Sequence, residues 1–229
     1  MNLSDFSREF DLRYNNSLSF AAPPINVYEK SLYLTQAQEE IVKDSCANYE
    51  KDENSREKIR NLVVNYNVVY DADLNSALSA LKFNNNSKLV EVPAEAWYIV
   101  SEHINADIPV KPTPIDEFNR NIKNPFKKPV SEEVAWRLDI SDSVSATPKN
   151  IREIVYPSTI ASYTMRYVKK PTPIILESIA AYGVTIEGLD AATNCTLSSE
   201  VHRSIVKRAV ELAILTYEEK ALKNFVQVG

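Results

Sequence analysis

The chain has 229 residues, of which 44% are hydrophobic and 25% charged, and a net charge of −5; that is enough apolar material for one sizeable core and the wrong sign for a nucleic-acid grip built on a broad basic surface. No apolar run reaches the ~18 residues of a membrane span, and the polar, acidic opening MNLSDFSREFDLRYNN is unlike a signal peptide. Three glycines and two histidines leave no G-x-G-x-x-G, Walker loop or G-x-S-x-G elbow, and too few imidazoles for a His-based zinc site.

Residues 4 to 16 predict a short helix, with Ser4 placed to cap it and Leu3, Phe6, Phe10 and Tyr14 recurring at helical steps. After Pro23-Pro24, Asn26 and Glu29 form a capping-box pattern opening a second helix that runs to about Asn48; Thr35 with Gln38 allows a restart, so one kinked helix or two abutting ones both fit. Lys51 to Arg60 is charge-dense and reads as a loop or a short helix ending near Val64. The periodicity then changes. Lys88 to Val92, Ala96 to Val100, Trp136 to Ile140, Ile151 to Tyr156 and Ile160 to Lys169 read as short strands, forming a small antiparallel sheet. A long C-terminal helix over 197–225, capped by Ser198, carries an apolar stripe wider than one core face requires. The fold class is α+β, in a single domain over 1–229: N-terminal helices over 1–70, strands over 88–176 and the C-terminal helix.

The stretch from Pro109 to Pro173 holds nine of the twelve prolines and no glycine. Proline fixes φ and removes a backbone donor, which opposes a helix interior or a central strand. The expectation is a stiff, extended arm over 109–130 that lies along a neighbouring subunit.

Cys46 and Cys195 are isolated thiols that require no disulfide and fit a reducing cytoplasm. Cys195 and His202 are the only close His–Cys pair, a weak metal or nucleophile signal without accompanying ligands or an oxyanion loop. The acidic pairs Glu39-Glu40, Glu132-Glu133 and Glu218-Glu219 read as solvated helix faces. No residue pattern supports catalysis, so no cofactor and no metal are expected.

In chain order the motifs are YEKSLYLTQAQEEIV, VEVPAEAWYIVSEHI, PIDEFNRNIKNPFKKP with AWRL, YTMRYVKKPTPIIL and CTLSSEVHRSIVKRAVELAILTY. Together, over roughly Asn26 to Tyr217, they resemble the head-to-tail connector ring proteins of crAss-like bacteriophages and, more broadly, phage tail-adaptor proteins. The resemblance implies a non-enzymatic virion protein made in the host cytoplasm, in rings of twelve copies stacked below the portal. Its partners would be further copies of itself, the portal and other connector or tail rings, with DNA and ejected proteins passing through the lumen without specific binding and with no membrane contact.

Tyr, Trp and Arg dominate interface hot spots. The subunit-interface candidates are therefore Trp97, Phe126, Lys127, Lys128, Trp136, Arg137, Tyr163, Arg166, Tyr167, Lys169, Lys170 and Pro171, with Arg137 and Arg166 expected in buried or interfacial ion pairs. The net negative charge predicts an acidic lumen that does not hold DNA, with the lysine pairs facing acidic protein surfaces. Two other readings stay open: a transient tail-assembly chaperone, and a virion-borne hydrolase using a carboxylate pair.

Overall fold

In the computed structural model, residues 1–18, 23–69, 82, 87–105, 107–121, 123–124, 126, 133–142 and 149–228 are described. They fall into two compact units, one of residues 1–62 with 171–229 and the other of residues 63–170.

The first unit is helical. Helix α1 spans Leu3–Ser17 and is capped by Asn2 rather than Ser4: Asp5 N donates to Asn2 Oδ1 at 2.8 Å and Asn2 N to Asp5 Oδ2 at 3.1 Å. Helix α2 runs unbroken over Val27–Ala47, and Asn26 and Glu29 form the reciprocal capping box that their spacing predicts. Helix α3, Glu53–Ile59, is capped by Asp52 and passes into a 3-10 turn at Arg60–Leu62. The last helix of the chain covers His202–Val228; a turn in which Val201 N donates to Ser198 O precedes it, so it starts later than a Ser198 cap requires. Phe6, Phe10, Leu34, Ala37, Val42, Val206 and Ala209 are fully buried among these helices.

One buried face of α2 is polar, and the extended segment after Pro171 explains it. Ser31, Thr35 and Gln38 lie on one helical face. Gln38 Nε2 donates to Thr172 O at 2.8 Å, Ile174 N donates to Thr35 Oγ1 at 3.1 Å, and Leu176 N donates to Ser31 Oγ at 3.1 Å. The proline-flanked segment cannot make a regular ladder, so helix side chains take the place of a neighbouring strand.

The second unit is a seven-stranded sheet: β1 Val63–Val69, β2 Lys88–Glu91, β3 Ala96–Ile104, β4 Ile108–Pro112, β5 Ala135–Asp142, β6 Lys149–Val155 and β7 Ser162–Lys169, in the order β1-β7-β3-β4-β5-β6-β2. It is larger than the sequence pattern implies, and it is mixed, because β4 and β5 are parallel. Strand β1 falls where a helix end is expected: Val64, Tyr66 and Val68 alternate with exposed Asn65 and Asn67, a period-two pattern hidden behind the charged stretch before it.

The arm expectation is corrected over residues 109–121. Residues Ile108–Pro112 form a central strand, and Ile115–Asn121 form helix α4. Prolines are tolerated there because β4 changes partners along its length. It pairs with β3 through Ile108 and Pro109 and with β5 through Val110, Lys111 and Pro112, so no single proline has to bond on both sides. Residues 122, 125 and 127–130 of the expected arm lie outside the described residues.

One apolar cluster draws on all seven strands, among them Val64, Val90, Ile104, Val110, Ala135, Ile154 and Tyr163. Only a curled sheet lets strands so far apart in the order share one core. On the opposite face Phe118 of α4 packs edge-on against Trp136, with ring centroids 5.8 Å apart, beside Leu138 and Val155.

Thr35→Val keeps the shape of the side chain and removes its hydroxyl, which leaves the Ile174 amide without its partner. We expect a loss of about 2 kcal/mol of stability, read as a lower urea midpoint at unchanged slope, with Thr35→Ser close to wild type.

Candidate interface residues and a buried charge cluster

The interface candidates separate into exposed and internal groups. Phe126 is 96% exposed, and its N–H donates to Asn124 Oδ1 at 2.9 Å. Arg166 is exposed on β7, and its Nε donates to Asn65 Oδ1 at 2.8 Å, an amide contact where a carboxylate partner is expected. Lys170 is exposed and Lys169 half-buried at the end of the same strand, with Lys170 N donating to Glu95 O at 2.8 Å. Trp97 is half-buried in a groove of about 400 Å³ that Ile99, Asp139, Ile151 and Arg152 also line. Lys127 and Lys128 lie outside the described residues.

Trp136, Tyr163, Tyr167 and Pro171 are buried. The Tyr167 hydroxyl donates to Glu95 Oε1 at 2.6 Å; burial, reinforced by that carboxylate, pushes it up to about 12. These side chains hold the fold. A hot-spot composition does not separate them from exposed anchors, because aromatic residues that alternate along a strand serve a core equally well.

Arg137 does enter a buried ion pair, and the residues that complete it are ones the sequence does not mark. Glu102 on β3 is 6% exposed. Its carboxylate accepts hydrogen bonds from Arg137 Nη1 of β5, Arg152 Nη1 of β6 and the Tyr163 hydroxyl of β7. Asp139 balances the second guanidinium: Arg137 Nη2 donates to Asp139 Oδ2 at 3.2 Å, and Arg152 Nε lies 3.3 Å from Asp139 Oδ1. Arg137 Nε is 3.1 Å from that same oxygen but out of hydrogen-bonding alignment. Two cations and two carboxylates thus form a neutral set. Burial, then the adjacent Glu102 charge, drives the Tyr163 hydroxyl far above its ordinary value, so it stays a donor at any physiological pH.

The cluster is built to hold strands together. Neighbouring strands lie ~4.8 Å apart, so β3 and β6 would be ~14 Å apart in a flat sheet, at the limit of fully extended Glu and Arg side chains. Curling of the sheet brings the two strands within easier reach of one another.

The pair at Cys195 and His202 does not form a reactive couple. Cys195 Sγ donates to Gln38 Oε1 at 3.1 Å, and burial pushes the thiol up to about 11, away from the thiolate a nucleophile needs. His202 Nε2 donates to Leu197 O at 3.2 Å. Among the described residues no three His, Cys, Asp or Glu side chains gather in a way that would hold a metal ion, and no helix is long and apolar enough to cross a membrane.

Glu102→Gln leaves two buried guanidinium groups facing a neutral amide. It should cost about 3 kcal/mol in chemical denaturation, against about 0.5 kcal/mol or less for Arg60→Ala, which breaks only an exposed pair with Glu57. Equal losses from the two substitutions would show that the cluster adds nothing beyond surface charge.

Residues 1–224 match the family model described as phage tail ring protein 3/4. Ring protein 4/5 of Bacteroides phage crAss001 is 34% identical over 241 aligned positions, covering 100% of this chain and 98% of that protein. Ring protein 3 of the same phage is 31% identical over 234 positions, covering 94% and 96%. The chain belongs to the phage tail ring protein 3/4 family.

Proposed function

We propose that the protein is a non-enzymatic virion component. It forms a closed ring of twelve copies in the head-to-tail connector below the portal, stacked on other ring proteins. The ring surrounds a channel for DNA and ejected proteins that it does not bind specifically. The observation that carries this reading is the match of nearly the whole chain, residues 1–224, to a family of phage tail ring proteins.

The chemistry of the chain supports it. The titratable cluster around Glu102 is neutral and engaged with itself, an arrangement that fixes strands rather than one that leaves a free acid or base. The charge is divided unevenly. Residues 1–62 and 171–229 hold 18 Asp and Glu against 13 Lys and Arg, whereas residues 63–170 hold 13 of each. The acidic excess therefore belongs entirely to the helical unit, which is the part we assign to the lumen, where like charge keeps a passing polyanion from adhering. Lys169, Lys170, Lys127 and Lys128 then face acidic protein surfaces.

A reconstruction of the particle tests the reading directly: it should show a ring of this chain whose lumen is lined mainly by Asp and Glu, and a lumen lined by Lys and Arg would refute the charge assignment. Mass spectrometry of purified virions should detect the protein in stoichiometric amount; its absence would identify it as a transient assembly chaperone instead. Arg166→Glu, an exposed position on a strand with neutral neighbours, should abolish incorporation into particles while leaving the isolated chain folded by circular dichroism. Normal particles from that variant would remove Arg166 from the contact surface.

A further inference from the structure

The strand order leaves β1 and β2 as the two end strands of the sheet. An end strand presents a row of backbone donors and acceptors to any extended segment, and proteins usually blunt it with charge, proline, a bulge or shortness.

Strand β2 carries such devices. It has four residues, begins at Lys88, ends at Glu91 and is followed by Pro93. Strand β1 carries none. Its seven residues, Val63–Val69, include no charge and no proline. They pair with β7 from Val63 opposite Val168 to Val69 opposite Ser162 without a shift in register, so no bulge turns the edge away. On the other side of β1 no strand lies among the described residues. Val64, Tyr66 and Val68 are only half-buried against the sheet core, and Asn65 and Asn67 are exposed on the opposite face.

The order of residues in β1 selects its partner. Val63-Val64-Asn65-Tyr66-Asn67-Val68-Val69 reads the same in both directions. An antiparallel pair of such strands, centred on Tyr66, sets Tyr66 opposite Tyr66, Asn65 opposite Asn67 and Val64 opposite Val68. Each residue then meets its own kind on its own face. Val64, Tyr66 and Val68 of the two copies prolong one apolar face. Asn65 Oδ1 accepts from Arg166 Nε, which leaves Asn65 Nδ2 to donate to the Asn67 amide of the other copy. No charged residue of either strand is set against a like charge.

We propose that two free copies of this chain join edge to edge through β1, antiparallel about a two-fold axis at Tyr66, so that their sheets run on as one. Self-pairing covers an edge that is otherwise open to indiscriminate association. A two-fold contact stops at two copies and cannot repeat around a ring of like-oriented copies. The pair is therefore the form of the chain before it enters the ring, and it gives way on assembly. The dimer itself does not depend on the ring reading; only its place before assembly does.

The test uses the full chain in solution, where sedimentation of the native protein should show a dimer. Asn65→Cys and Asn67→Cys, both at exposed positions, are prepared separately, then mixed and oxidised. A disulfide-linked dimer should form in the mixture and in neither batch alone, because each position lies opposite the other and two residues out of register with itself. Wild type reports any background from Cys46 and Cys195. Asn65→Asp with Asn67→Asp sets two like-charge pairs across the axis and should weaken the dimer about tenfold. Asn65→Asp with Asn67→Lys sets two opposite-charge pairs and should restore it, with both variants folded by circular dichroism. A native chain that forms no dimer, a disulfide within either batch alone, or equal dimerisation of the two charge variants would overturn the proposal. So would recovery of the cross-link from finished particles. The solution readouts concern the free chain, so their failure leaves the ring reading standing, and a particle reconstruction without a ring of this chain leaves the dimer standing.

Discussion

The fold of the strand unit depends on a single carboxylate. Glu102 accepts bonds from Arg137, Arg152 and Tyr163, which belong to three strands at different distances from its own. Tyr163 is on the strand next to β3, but Arg152 is three strands away, and the curl of the sheet favours its approach. Buried ion pairs add little net stability over an apolar core of equal shape, but a broken one is costly. The cluster therefore acts on specificity: a shift of one strand by one residue would turn an arginine away from Glu102 and strand both charges.

The strand unit is an insertion within the helical one, and the pairing of its ends makes that possible. It opens with β1 and closes with β7, and these strands lie side by side in antiparallel register, with Val63 opposite Val168. The chain thus enters and leaves at neighbouring points, the geometry that lets one compact unit be spliced into another. When the chain re-enters the helical unit it does so through Pro171–Leu176, held by Ser31, Thr35 and Gln38 of α2. Those three side chains satisfy backbone groups that a proline-rich segment cannot satisfy for itself.

A ring subunit must be rigid where it meets its neighbours, since ordering a flexible surface on docking subtracts from affinity. In this chain the Pro171–Leu176 segment is held by side-chain hooks from α2. Two groups that could suggest chemistry are quiet among the described residues: burial raises the Cys195 thiol, and the charged cluster is internally neutral.

The α+β class, the capping box of α2 and five of the strands were legible in the sequence because each is encoded by neighbours a few residues apart. The motif order over Asn26–Tyr217 likewise carried the family likeness. Strand β1 was missed because its alternation follows a charged helical stretch without a break. Strand β4 was missed because two prolines in five residues argue against a central strand, unless the strand changes partners midway. Arg137 could be singled out, but not its partner: Glu102 is one acid among 31 Asp and Glu, and only the curl of the sheet brings it to two arginines 35 and 50 residues away. The sequence by itself determined α1, α2, the last helix and five of the seven strands, because local patterning decides those; tertiary structure alone decided that the β1 and β4 segments are strands, which charges are buried together and which aromatic rings face solvent, because those depend on contacts between residues far apart in the chain.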